Sequence, residues 1–282
     1  MLIQLETGQK FTTLSSTNNI SRIQLRLSVQ ISLNGLSFLV TNHENKEVFF
    51  EEHKLNHSTT PEELLMEIES IISEKEILNS TFTDVSLIYS TPVYSLIPTV
   101  LFDETKTSEY LKFNSKILAN DYVAHDELDT WGITVAYVPF MNINNFFFEK
   151  YGSFNYYHSI SILLKTILKK EKYSLPRMYL HFQQNSFDCI ILKEGSLELC
   201  NTYSFNTPED FIYYTLFSME QLKLNPETLP VFLCGDIDEG DSNYNMAYTY
   251  IRNLEFLNIS DFTPKLNVDA EGHRHFIIKN IK

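Results

Sequence analysis

The densest group of side chains able to do chemistry is the acidic run Asp236, Asp238, Glu239 and Asp241 in GDIDEGDSN. Carboxylates this close together could gather round a divalent cation. They follow an apolar strand and precede a helix, the edge at which open α/β sheets bind ligands. A calcium loop, however, needs acids at alternate positions, then Gly, then a distal Glu, and that order is missing here. The expectation is a solvated loop whose acids face a helix N-terminus. His273 and His275 stand two apart in HRHFIIK, read as a last edge strand, where alternate residues share a face and two imidazoles could ligate a metal. Arg274 lies between them and no third ligand is near in sequence, so surface histidines are expected. His43, His53 and His57 form a second loose group. Cys234, beside Gly235, has the type of a nucleophile, but a thiol closing the apolar run LPVFLCG is expected to be a small buried residue. The sequence has no G-x-S-x-G elbow, no H-E-x-x-H and no Walker loop.

The composition narrows the classes further. With 282 residues, 21 Phe and 16 Tyr, the chain can bury a large core, which excludes global disorder. Its net charge is -14 with no basic block, so direct nucleic-acid binding is not expected. The basic run Lys165 to Lys172 closes a helical pattern, where cations complement the dipole. Cys189, Cys200 and Cys234 are widely spaced inside apolar runs, which fits a reducing compartment better than a disulfide framework. No basic-then-apolar leader and no membrane-length apolar window occur, so a soluble cytoplasmic protein is expected, with no membrane insertion.

The elements that must position these residues fall into a repeated order. Residues 1–20 read as a loose polar lead-in. LSVQISL, LSFLVTN and KEVFFEE read as an antiparallel meander, with turns at Asn34-Gly35 and Glu44-Asn45-Lys46. Thr60-Pro61-Glu62-Glu63 has the capping-box form and opens a helix whose stripe is Leu64, Leu65, Ile68, Ile71 and Ile72. DVSLIYS follows as a buried strand. The middle breaks this rhythm: LIPTVLF and SEYLKFNSKIL read as helical, NDYVAHDEL and GITVAYVP as strands, and FMNINNFFFEKYG as a helix ended by Gly152. A small inserted α/β subdomain is expected at about 115–155. The helix YHSISILLKTILKK then leads into MYLHFQQ, FDCIILK and SLELCNTYSF as strands. Thr207-Pro208-Glu209-Asp210 caps another helix, LPVFLCG is a strand, and Met246 to Leu257 carry a further helical stripe. Pro61 to Val85 spans 24 positions and Pro208 to Val231 spans 23, so helix start and next strand stay in register. That agreement points to an internal duplication, with halves at 21–155 and 156–282. Phe146, Phe147 and Phe148 cannot all be buried by one helix face; they pack the insertion on the main body or offer a partner surface.

A duplicated βββαβα unit with an insertion in its first copy resembles the actin-like ATPase fold, a duplicated ribonuclease H-like architecture. The layout is similar to that of the PilM and FtsA families. NDYVAHDELDTWGITVAYVPFMNINNFFFEKYGSF resembles their inserted subdomain, and HSISILLKTILKKEKYSLPRMYLHF their crossing into the second copy. The whole chain resembles an uncharacterised Bacteroidetes family assigned this fold. The resemblance implies nucleotide held by two hairpins of the form Asp-hydrophobic-Gly followed by Ser or Thr. The carboxylate holds hydrated magnesium, and the glycine lets backbone N–H groups reach phosphate oxygens. On this chain the first hairpin is Gln30-Ile31-Ser32-Leu33-Asn34-Gly35, with Gln30 for the Asp and Ser32 for the Gly. The second is His181-Phe182-Gln183-Gln184-Asn185-Ser186, with His181 for the Asp and Gln183 for the Gly. The adenosine-side strand, which ends in paired glycines in the pattern, ends here in Gly235-Asp236. If nucleotide is bound, Gln30, Ser32, Asn34, His181, Gln183, Asn185, Gly235 and Asp236 are the implied contacts. The departures point instead to a degenerate fold with no cofactor, acting as a non-catalytic interaction or scaffold protein through a protein partner. The rivals are an ATPase of PilM or FtsA type using ATP with magnesium through atypical turns, and a small-molecule sensor.

Overall fold

A computed structural model describes residues 9–10, 24–55, 58–113, 115–118, 121–170, 175–257, 262 and 272–281. The chain divides into two compact units between Lys165 and Thr166. In the first, β2 (Leu25–Ser32), β3 (Gly35–Asn42) and β4 (Glu47–Lys54) form the expected antiparallel meander. Alternation puts Leu27, Val29 and Ile31 of β2 in the core, opposite Val40, Phe38 and Leu36 of β3. The helix α1 (Pro61–Glu74) buries Leu64, Ile68, Ile71 and Ile72. It begins with a complete capping box: Thr60 Oγ1 accepts from Glu63 N–H, and the Glu63 carboxylate accepts from Thr60 N–H. β5 (Asp84–Tyr89) then runs parallel to β2, and β9 (Asn155–His158) parallel to β5. The two-residue β1 (Gln9–Lys10) completes the edge.

Between β5 and β9 lies a three-stranded antiparallel sheet, ordered β6 (Tyr94–Pro98), β8 (Ile133–Tyr137), β7 (Ala124–Leu128), with α2 (Thr107–Lys112) before β7 and α3 (Met141–Tyr151) after β8. This corrects the helical reading of LIPTVLF. Its first half is β6, paired residue for residue with β8, and only Thr99–Leu101 coils, as a 3₁₀ turn. A short apolar run has no period to separate strand from helix, and pairing with distant β8 decides it. Tyr157 and His158, read as the first residues of the crossing helix, belong instead to the strand Asn155–His158, and the helix α4 (Ser159–Lys170) begins after them.

The second unit carries β10 (Arg177–Phe182), β11 (Ser186–Lys193) and β12 (Ser196–Ser204), then α5 (Pro208–Gln221), β13 (Pro230–Gly235), α6 (Ser242–Tyr250) and β14 (Asn253–Phe256). Its sheet order, β12-β11-β10-β13-β14, repeats the order β4-β3-β2-β5-β9 of the first, with the same parallel and antiparallel pairings. The core lies between this sheet and its helices, with Leu180, Phe182, Phe187, Phe211, Met219 and Ala247 at its centre. Thr207 and Asp210 form the second capping box. Thr207→Ala removes the acceptor for Asp210 N–H and is expected to cost about 1 kcal/mol, read as a lower denaturant midpoint.

Two expectations fail near the C-terminus. The stripe from Met246 to Leu257 is not one helix: α6 ends at Tyr250, and Leu254 lies on β14, parallel to β13. HRHFIIK is not an edge strand either. Phe276–Asn280 is a short helix, α7, burying Phe276, Ile277 and Ile278. Three consecutive buried apolar residues carry no strand alternation, so pattern alone could not separate the two readings. Among the described residues, no helix is long and apolar enough to cross a membrane.

Candidate functional site

The first hairpin turns at Leu33 and Asn34, with Ser32 paired to Gly35, one residue earlier than the expected Asn34-Gly35 turn. Gly35 is required for a different reason: a Cβ there would sit 2.8 Å from the His53 carbonyl oxygen on β4. Gln30, at the pattern's carboxylate position, donates from its amide to Ser90 Oγ at 3.1 Å. Ser32, at the glycine position, turns its hydroxyl onto its own hairpin. It accepts from Asn34 N–H at 3.3 Å and donates to Gly35 O at 3.0 Å. The turn carbonyls are also taken: Leu33 O accepts from Thr59 N–H at 2.9 Å, and Asn34 O from Leu55 N–H at 2.8 Å.

In the second hairpin, His181 lies directly across from Asp188 of β11, and both are buried. The imidazole Nδ1 is 2.9 Å from Asp188 Oδ2. Gln183 donates to the same oxygen at 3.2 Å, and Thr202 Oγ1 to Asp188 Oδ1 at 2.6 Å. Asp188 therefore supplies the carboxylate that balances this group, held inside the sheet by three side-chain donors. The turn closes with Gln183 N–H to Ser186 O at 2.8 Å, while Asn185 O accepts from Phe205 N–H at 3.1 Å. Sequence reasoning missed Asp188; an acid within the otherwise apolar run FDCIIL was the available signal.

Gly235 ends β13 at a φ of 89°, where a Cβ would meet the Phe182 carbonyl oxygen at 2.2 Å. Its N–H donates to His273 O at 2.9 Å, and Asp236 N–H to Phe182 O at 3.0 Å. The acidic loop is solvated at Glu239 and Asp241, with Asp241 at the N-cap of α6 as expected, but Asp236 and Asp238 are paired within the chain. Arg274 reaches Asp236 Oδ1 at 3.3 Å and clamps Asp238 through Nε at 3.0 Å and through Nη2. Hydrogen bonding from this guanidinium holds the Asp238 carboxyl below its ordinary range despite partial burial. His273 Nε2 is 2.6 Å from Ile237 O, so it faces the loop rather than sharing a strand face with His275, whose φ is 53°. Among the described residues, no three His, Cys, Asp or Glu side chains gather to hold a metal ion. Cys234 is buried, which pushes its thiol well above the usual range.

Another polar group, unmarked in the sequence reading, lies in the first unit. Ala124, Asp126 and Leu128 share the buried face of β7. The Asp126 carboxylate accepts from Tyr137 OH at 3.0 Å and from His158 N–H at 2.8 Å, tying the inserted sheet to the end of β9. Burial pushes this carboxyl up to about 7, against the lowering effect of its hydrogen bonds. His158 is buried beside it. Its Nδ1 accepts from Ile160 N–H at 3.2 Å, so Nε2 carries the proton and donates to Thr91 O at 3.0 Å. On α3, Phe147 is fully buried, while Phe146 and Phe148 are half-buried. Phe147 thus belongs to the core and has no face to offer a partner.

The family model described as Protein of unknown function (DUF3822) matches residues 15–254. Among solved structures, a Bacteroides thetaiotaomicron protein with an actin-like ATPase fold and unknown function is similar at TM-score 0.73 and 22% identity, covering 88% of this chain and 95% of that one. A PilM-PilN type IV pilus biogenesis complex is similar at TM-score 0.56 and 12% identity, covering 87% of this chain and 90% of that one. The fold is the actin-like ATPase fold. No curated protein matches the sequence.

Proposed function

We propose that this chain, which belongs to the DUF3822 family of unknown function, is a non-catalytic interaction or scaffold protein that keeps an actin-like frame without nucleotide turnover. One observation carries the reading. At both hairpins and at the end of β13, groups that a magnesium-bound triphosphate would use are absent or already bonded within the chain. Gln30 is neutral and bonded to Ser90, and Ser32 engages the Asn34 amide. His181 is paired with Asp188, and the Gly235 amide with His273 O. Anions need free N–H donors, and hydrated magnesium needs an available carboxylate, so this donor set fits Mg-ATP poorly. The matching strand order of the two units supports a tandem origin for the frame. The PilM-PilN neighbour is a complex of two proteins, and by analogy of fold we assign this chain a protein partner.

Titration calorimetry with Mg-ATP tests the reading. No saturable heat is expected at millimolar nucleotide. Saturable, magnesium-dependent heat would instead support an ATPase of the PilM or FtsA type working through atypical turns.

A further inference from the structure

The helix α5 has one face explained by the core and one that is not. Phe211, Ile212, Thr215, Ser218 and Met219 are buried. On the opposite side, Glu209, Tyr213, Phe217 and Glu220 follow at spacings of four, four and three, which makes one stripe along the helix. Tyr213 is 62% exposed and Phe217 is 43% exposed. Their rings lie 6.0 Å apart and 17° from parallel. Tyr213 also meets Tyr214 at 5.4 Å, and Tyr214 stacks on Tyr203 of β12 at 5.0 Å. A row of aromatic rings therefore runs from β12 onto the outer face of α5.

Neither outer ring is needed to fill the core, and solvent exposure of two adjacent large aromatics is a cost that folding does not require. The stripe's charge says what it would accept. PEDFIYYTLFSMEQ contains no Lys or Arg. Asp210 is used in the capping box, bonded to the Asn206 and Thr207 amides. Glu209 and Glu220 are exposed at the two ends of the stripe, and neither carboxylate has a hydrogen bond or ion pair among the described residues. Ring faces carry negative quadrupole potential, and carboxylates at both ends add to it. The two carboxylates are eleven positions apart on the helix, roughly 16 Å of axis, the reach of about five extended residues or three helical turns of a partner.

We propose that this stripe docks an arginine-bearing segment of a protein partner, with a guanidinium over the Tyr213 and Phe217 rings and flanking cations against Glu209 and Glu220. Arginine fits better than lysine because its planar group stacks on an aromatic face and pairs with carboxylates in the same pose. The chain's net charge of -14 favours encounter with a basic segment. The proposal rests on the reading of this protein as an interaction scaffold. Its test is separate from the nucleotide test, since either result can be obtained without the other.

The test is an NMR titration of the full chain with an amphipathic peptide carrying arginines one helical turn apart, and with a control peptide carrying glutamates there instead. Saturable shifts confined to α5, at Tyr213, Phe217 and their neighbours, are expected with the arginine peptide and none with the control. Phe217→Ala and Glu220→Lys should each weaken binding about tenfold. Shifts spread evenly over the acidic surface, undiminished binding by Phe217→Ala, or concentration-dependent self-association through the same residues would each overturn the proposal.

Discussion

Gly235→Ala is expected to destabilise the second unit by more than about 3 kcal/mol, enough to lower its denaturant midpoint sharply or to prevent folding. Two effects coincide there. The residue sits at a φ of 89°, which an L side chain rarely adopts. A Cβ would also lie 2.2 Å from the Phe182 carbonyl oxygen and 2.9 Å from its nitrogen, both backbone atoms of the central strand. The only escape is to move β13 away from β10, which breaks the parallel pairing that ends at Phe182 and Gly235. Gly240 gives the control. Its φ of 95° is similar, but nothing lies within 4 Å of the place a Cβ would occupy. Gly240→Ala should therefore show the conformational cost alone, about 1 kcal/mol. Equal losses in the two variants would mean that close packing of β13 on β10 contributes nothing.

Asp126 should make the first unit's stability depend on pH in the neutral range. Burial raises its folded-state carboxyl to about 7, from an unfolded value near 4. Between those values the folded chain holds more of the proton than the unfolded chain does. The stabilising contribution is therefore full below the unfolded value and is lost as pH rises towards 7, with no further change above. From pH 5 to pH 8 this group alone should remove about 2 to 3 kcal/mol. Asp126→Asn keeps a neutral acceptor for Tyr137 OH or His158 N–H and should flatten that part of the slope. Denaturant midpoints of both proteins across this range decide the matter; parallel slopes would place the titration elsewhere.

What the sequence made legible was whatever is encoded locally or by period. Both helix starts were visible because Thr-Pro-Glu fixes its hydrogen bonds within four residues, and both meanders because alternation survives in LRLSVQIS and its partner. Runs without a period were misread. LIPTVLF became a strand because β8 pairs with it, and HRHFIIK a helix because three adjacent apolar residues are buried at once. The candidate contacts were half legible in the same sense. The missing carboxylates and glycines could be read directly at Gln30, Ser32, His181 and Gln183. The groups that satisfy them could not: Ser90 and the His273 carbonyl are distant in sequence, and Asp188, though only seven residues from His181, meets it through the register of β10 on β11. Arg274 illustrates the difficulty: seen as a residue spoiling a histidine pair, it is the cation that pairs with Asp236 and Asp238 of the acidic loop.

The backbone amides of Asn34, Gly235 and Asp236 give the most direct measurement, because they are the donors a nucleotide would have to recruit and each is bonded inside the chain. Their NMR positions and hydrogen-exchange rates can be followed while Mg-ATP is added to millimolar levels. Unchanged positions and exchange at all three are expected. Saturable movement of the Asn34 and Gly235 signals, requiring magnesium and reversed by its chelation, would contradict the proposed absence of nucleotide binding.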